Sequence, residues 1–232
     1  MESILKATIH QAFHLVGMAS LFVYPAVYGF DTLYFTALFA GLLLISLVQS
    51  AYNHRCITHR SWVSPEWLHY PMLIVSAIFL MFPAMTWAAV HRKHHTYADT
   101  VMDVHGPAVG LLKTFGLSFL KPESRFYRAD IRNTKMRWQL KNYWIIFLVG
   151  ATLISLVMSP VFYLMSMGYV YTLQTMVNLI GHYKYLRNSH LLSVFTGGEM
   201  YHENHHADPR DPRFGLFDLG YYGMIKWLNL KD

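Results

Sequence analysis

Fourteen of the 232 residues are histidine, and nine of them fall into four tight groups. The first is His54-Arg-Cys-Ile-Thr-His59 and the second is His91-Arg-Lys-His94-His95. The third is Asn178-Leu-Ile-Gly-His182 and the fourth is His202-Glu-Asn-His205-His206. Imidazole ligates transition metals while staying neutral. At about 100° per residue, His91, His94 and His95 share one helix face, as do His202, His205 and His206. The i, i+3 pair leans one way and the i, i+4 pair the other, so one group can serve two neighbouring metals. Asn178 and His182, one turn apart, also share a face. The Asn178 amide oxygen can then bind directly or through a water. His54 and His59 would stand roughly 140° apart on a continuous α-helix. They converge only if the helix ends between them, or if they bind different metals.

Nine grouped histidines exceed the needs of one ion, because tetrahedral zinc takes about four ligands and catalytic zinc about three. Two six-coordinate irons, with positions left for O₂ or water, would use them. The string His202-Glu203-Asn204-His205-His206 also matches a zinc-protease motif in which Glu is the general base. That reading leaves His54, His59, His91, His94 and His95 without work. The isolated His10, His14, His69 and His190 are expected as packed core or interface residues. His105 is expected as a loop residue or a neighbour of a ligand.

The elements that must position these groups are helical and apolar. Hydrophobic residues make up 54% of the chain and charged residues 14%, too few to coat a soluble globule of this size. Four stretches reach the roughly 20 residues a bilayer span needs, at about 11–28, 33–52, 143–159 and 161–180. Short connections at Pro25–Asp31 and Ser159–Pro160 make each pair a hairpin. Those connections lack Lys and Arg, which concentrate between and after the hairpins, so both termini and the histidine groups are expected on the cytosolic side. Leu68–Met85 is apolar enough to span, but a single crossing would separate the first two histidine groups. An interfacial or re-entrant helix is therefore expected at about 66–86, with another interfacial helix at about 108–120. One domain over 1–232 is expected, with no cleavable signal peptide. The residues thus point to an all-α integral membrane protein with four transmembrane helices in two hairpins and a histidine-rich dimetal site on the cytosolic side. The net charge of +6 fits basic cytosolic loops, and nucleic-acid binding is not expected.

The strings HRCITHR at 54–60, WAAVHRKHHTYADT at 87–100, NLIGH at 178–182 and GGEMYHENHH at 197–206 resemble the membrane fatty acid desaturases. The similarity is greatest to the stearoyl-CoA-desaturase-like Δ9 acyl-CoA or acyl-lipid branch. It implies a four-span, mushroom-like fold whose cytosolic cap holds two Fe²⁺ ions. By position, the ligands would be His54, His59, His91, His94, His95, His182, His202, His205 and His206, with Asn178 binding through water. It implies O₂-dependent hydrogen abstraction from two adjacent methylenes of a saturated acyl chain carried on CoA, a carrier protein or a lipid ester. A hydroxylase on the same scaffold is the alternative. Imidazole sites accept zinc as well as iron, so purified protein can carry zinc. The chain is shorter than most members and has no His-Pro-Gly-Gly haem motif. Electrons are therefore expected from an external carrier such as a ferredoxin or a cytochrome.

Asp99, Asp103, Glu199 and Glu203 are candidates to accept the second N–H of a ligating histidine. Trp87 is expected to line an acyl tunnel or anchor at the interface. Arg55, Arg60 and Arg92 are candidates to grip a phosphate or carboxylate headgroup, and Cys56 is expected as a small packed residue. The basic stretch Lys121–Lys141 reads as a solvated face, or as a dock for an acidic electron donor or anionic lipid.

Overall fold

Capping residues set the turns of two helical hairpins in the computed structural model, which describes residues 2–110, 114, 123–183 and 186–230. Helix α1 (Glu2–Tyr28) ends where Gly29 takes φ 79°. Asp31 then accepts from the Tyr34 N–H at 2.8 Å and from the Tyr24 hydroxyl at 2.7 Å, which starts helix α2 (Thr32–His59). Helices α3 (His69–Ile78), α4 (Ala84–Tyr97) and α5 (Ser124–Tyr127) follow. The second hairpin pairs α6 (Thr134–Val157) with α7 (Pro160–Ile180). Ser159 caps α7 through its hydroxyl, and Pro160 occupies the first turn, where its missing N–H is harmless. Short helices α8 (His190–Phe195) and α9 (His202–Ala207) carry the chain back across the histidine groups. Among the described residues the regular structure is helical, apart from one isolated β-bridge between Asn188 and Tyr201.

Of the four expected spans, α2 and α6 are long and apolar enough to cross a bilayer. Helices α1 and α7 have the length, at 27 and 21 residues, but are not among them. His10, Gln11 and His14 in α1, and Gln174 and Asn178 in α7, dilute their apolar character. Apolar side chains nevertheless face outward at the turn end of both hairpins: Phe22, Val27, Leu156 and Val157 are all exposed. Such a patch is usual against lipid and rare against water.

The expected helix over about 66–86 is broken. Helix α3 has 10 residues, roughly 15 Å, against an apolar core of about 30 Å. The chain then reverses through Phe79–Pro83, where Leu80 and Phe82 hold φ at 53° and 60°. Helix α4 returns, so the first two histidine groups finish together. The expected helix at about 108–120 falls mostly on 111–113 and 115–120, outside the described residues, and Pro107–Val109 is a 3₁₀ turn.

Helix α7 packs against α1, α2 and α6. Its crossing with α1 is backbone on backbone: a Cβ on Gly168 would lie 2.1 Å from the Gly17 carbonyl oxygen. From Leu44 to His59, α2 winds as a π-helix, whose N–H groups reach back five residues instead of four. It ends at Arg60 in a left-handed conformation, with the Arg60 N–H on the Arg55 carbonyl.

Candidate metal centre

The π-helical winding resolves the angle between His54 and His59. With backbone bonds reaching back five residues, both rings come to one side of the helix, 4.9 Å apart at their centroids, so the helix neither ends between them nor sends them to different places. Both join His91, His95 and His205 in one group, and His94, His182, His202 and His206 form a second. The ligand nitrogens within each group lie within 4.8 Å of one another. Each HxxHH string contributes to both groups. His91 and His95 lean to the first and His94 to the second, whereas His202 and His206 lean to the second and His205 to the first. Gly181, just before His182, leaves room for the fourth string: a Cβ there would sit 3.1 Å from His202 Cγ.

The nitrogens face one another. His205 Nε2 lies 3.0 Å from His54 Nε2 and 2.8 Å from His95 Nε2, and His95 Nε2 lies 3.0 Å from His91 Nε2. In the second group His202 Nε2 lies 2.9 Å from His182 Nε2 and 3.1 Å from His206 Nε2. His94 and His206 bring their Nε2 atoms to 3.3 Å. Carboxylates hold three of these rings from behind. His54 Nδ1 is 2.7 Å from Glu199, His94 Nδ1 is 2.8 Å from Asp103, and His182 Nδ1 is 2.9 Å from Asp99. A neutral imidazole whose Nδ1 carries the proton has only a lone pair at Nε2. Lone pairs converging without enough protons between them are satisfied by a cation, so the donor set fits a metal.

Charge follows the same logic. Burial first, and neighbouring imidazoles second, push His91, His94, His202 and His205 well below the ordinary histidine range, and His206 down to about 4. The rings are therefore neutral near pH 7 and ready to ligate. Burial alone would raise Glu199, but His54, Arg55 and the Ser50 hydroxyl hold it below the usual carboxylate range.

A small cavity of about 30 Å³ lies between the groups. His54, His91 and His202 contribute to its wall, with Ile45, Gln49, Trp87, His105, Gln174, Val177, Asn178 and Glu199. The Trp87 indole stacks on His91 at 4.7 Å and 10°, which places it beside the first group.

A family model described as fatty acid desaturase matches residues 31–219. The chain belongs to the fatty acid desaturase family. The desaturase is similar to two Arabidopsis thaliana proteins, Delta-9 desaturase-like 4 protein and Delta-9 desaturase-like 5 protein. It is 28% identical to the first over 78% of this chain and 68% of that one, and 29% identical to the second over 83% and 71%. It is 28% identical to the sn-1 stearoyl-lipid 9-desaturase of Synechocystis sp., over 77% of this chain and 61% of that one.

Several residues of the desaturase lie elsewhere than expected. Glu203 points away from the centre, to Asn188 and Arg187, because it lies on the outer face of the short α9. It holds none of the ligating rings and is turned from the place a protease of this motif needs for its base. Arg55 grips no headgroup: it is fully buried, 2.8 Å from Asp218, 3.7 Å from Glu199 and 3.7 Å over the Phe214 ring. Arg92 is committed to Asp130 and to the terminal carbonyls of Ile57 and Thr58 at the end of α2. Arg60 also pairs with Asp130, at 3.0 Å, while keeping an exposed side chain. Asp130 and Asp218 went unnoticed in the sequence, where no motif marks them. Gln49 also went unnoticed, although a polar residue inside an apolar run five positions before His54 is a signal the sequence does carry. His10, His14, His69 and His190 all bond within the protein, and Cys56 is buried. His105 stacks on His94 at 4.3 Å, as a neighbour of the second group.

Proposed function

We propose that this desaturase is a dinuclear iron enzyme. It removes two hydrogens from adjacent methylenes of a saturated acyl chain, placing a cis double bond at the Δ9 position named for its relatives. The observation that carries this reading is the division of nine inward-facing imidazoles, five buried and four partly buried, into two abutting groups. His54, His59, His91, His95 and His205 would hold one ion, and His94, His182, His202 and His206 the other, with Asn178 acting through a water. Metal held there supplies the redox chemistry that reduces O₂. The overall reaction balances as one O₂, two electrons, two protons and a –CH₂–CH₂– unit giving –CH=CH– and two waters.

The chain's own residues do the rest. Glu199, Asp103 and Asp99 hold Nδ1 protons, so that Nε2 lone pairs face inward. Ile45, Val177 and Trp87 supply apolar wall beside the centre, where methylenes can replace water. Burial of the acyl chain contributes about 0.8 kcal/mol per CH₂. The chain has four spans in two hairpins, with both termini and the centre on the cytosolic side, and an external one-electron carrier delivers the electrons. The acyl group arrives on CoA, a carrier protein or a lipid ester.

Metal analysis and lipid profiling test this together. Iron-loaded protein should hold about two ions, and His205→Ala or His202→Ala should each lose about one. Cells expressing the chain should accumulate lipids two hydrogens lighter. One ion per wild-type chain, or an unchanged lipid profile with reductant present, would defeat the proposal. An added oxygen instead would assign a hydroxylase.

A further inference from the structure

Gln49 sits in α2 five residues before His54, one π turn from it, and is 3% exposed. Its Oε1 accepts from Asn53 Nδ2 at 3.2 Å, and the same Asn53 Nδ2 group donates to Ser76 Oγ at 3.0 Å. With Asn53 Nδ2 as the donor to both, Gln49 presents Oε1 to it, and turning the Gln49 amide alone would set two NH₂ groups against each other. Gln49 Nε2 is left buried and without a partner among the described residues. A buried donor without an acceptor is unfavourable enough that native structures rarely keep one. Gln49 lines the cavity of about 30 Å³ that touches both histidine groups. His105, in the same wall, also has a buried Nε2 with no partner. The space is about that of one water, with polar groups around it. A saturated methylene can enter it but accepts no hydrogen bond.

We propose that Gln49 Nε2 donates to an oxygen acceptor bound in this cavity, and that Gln49 thereby selects what lies beside the C–H bonds under attack. The inference rests on the acyl-oxidation reading of the centre. The oxygen has two possible sources, an ordered water or a hydroxyl or carbonyl on the substrate within a few bonds of the reacting carbon. An acceptor held here would fix the position of the neighbouring carbon against both groups. Truncation of Gln49 would then loosen the position of attack as well as the binding.

The test uses the metal-loaded full chain in lipid nanodiscs. A map that resolves ordered water should show an oxygen about 2.7–3.2 Å from Gln49 Nε2. That feature should vanish in Gln49→Met, which keeps length and removes the amide. If wild-type density shows Nε2 bonded to a protein group, or facing no acceptor at all, the proposal is overturned. Kinetics then separate the sources. A substrate oxygen predicts that wild type prefers a hydroxy- or keto-acyl chain over the plain chain by at least about tenfold in kcat/KM, and that Gln49→Met erases the preference. A water predicts no such preference, with both chains slowed together and double-bond position scattered in the variant. Unchanged rates and product positions in Gln49→Met would sink the inference. Absence of turnover with any acyl chain would sink the acyl-oxidation reading instead, and the density at Nε2 would still decide Gln49.

Discussion

Replacing Arg55 with methionine separates two roles for a basic residue in the first histidine string. The guanidinium is fully buried between Asp218, Glu199 and the face of Phe214. Removing one partner of a buried ion pair costs about 3–5 kcal/mol, because the other charge is left without compensation. Asp218 keeps two backbone donors, the Phe214 N–H at 2.8 Å and the Tyr221 N–H at 3.0 Å, which favours the low end. Loss of the contact with Phe214 adds up to about 2 kcal/mol. Arg55→Met should therefore destabilise by about 3 kcal/mol or more. The double variant Arg55→Met/Asp218→Asn should recover about 1 kcal/mol of that, since no uncompensated charge then remains at 218 and the amide oxygen still accepts a backbone N–H there. Chemical denaturation in detergent, at fixed metal and pH, reads both values. Iron affinity should also fall about 10- to 100-fold, because Glu199 would lose its support and His54 its orientation. A headgroup-binding arginine predicts the opposite pattern, unchanged stability and a raised KM. An Arg55→Met variant within about 1 kcal/mol of wild type, or a fully additive cycle, would refute the argument.

Three further outcomes follow from the same geometry. Gly168→Ala should destabilise by at least about 2 kcal/mol and part α1 from α7, since its Cβ would meet Gly17 backbone at 2.1 Å; an unchanged unfolding midpoint would count against the crossing. Chelator-treated protein should lose stability as pH falls from about 6.5 towards 4. The unfolded chain takes up protons there while buried His91, His94, His202, His205 and His206 resist them, so a melting temperature flat over that window would be the contrary result. Glu203→Gln should leave acyl oxidation near wild type, whereas His94→Ala should abolish it. Loss in the first variant with retention in the second would favour the protease motif.

The histidine groups were legible because metal ligation constrains residue type and spacing together, and the i, i+3, i+4 geometry of HxxHH survives in any helix. The helical class was legible for a related reason, since apolar runs of that length have few other ways to satisfy their backbone. Partners distant in sequence were not. Nothing near Arg55 announces Asp218, 163 positions away, or near Arg92 announces Asp130. A basic residue beside a metal string reads as a headgroup contact until its burial is known. Two of the four expected spans, α2 and α6, are long and apolar enough to cross a bilayer by composition, and α1 and α7 differ from them for a physical reason. His10 and His14 on α1 are buried against protein, and Gln174 and Asn178 on α7 line the cavity between the histidine groups, so these polar residues lower the mean hydropathy of both helices.

The first histidine string shows how far local geometry can depart from the default. An α-helical register would send His59 roughly 140° away from His54, leaving one of them outside the first group. Winding the last sixteen residues of α2 as a π-helix brings both imidazoles to one face, at 4.9 Å between ring centroids. The π form is rare and seldom runs beyond a single turn, so the surroundings must hold one of this length. Three observations show how they do. Arg92 takes the Ile57 and Thr58 carbonyls that the helix leaves open, Thr58 bonds its hydroxyl to the Asn53 carbonyl, and the Ser61 hydroxyl and N–H both reach the Arg55 carbonyl. Asp130 anchors Arg92 in turn. Asp130, Arg92 and Arg60 around this helix end therefore act on the first histidine group through backbone, by keeping His59 in register with His54.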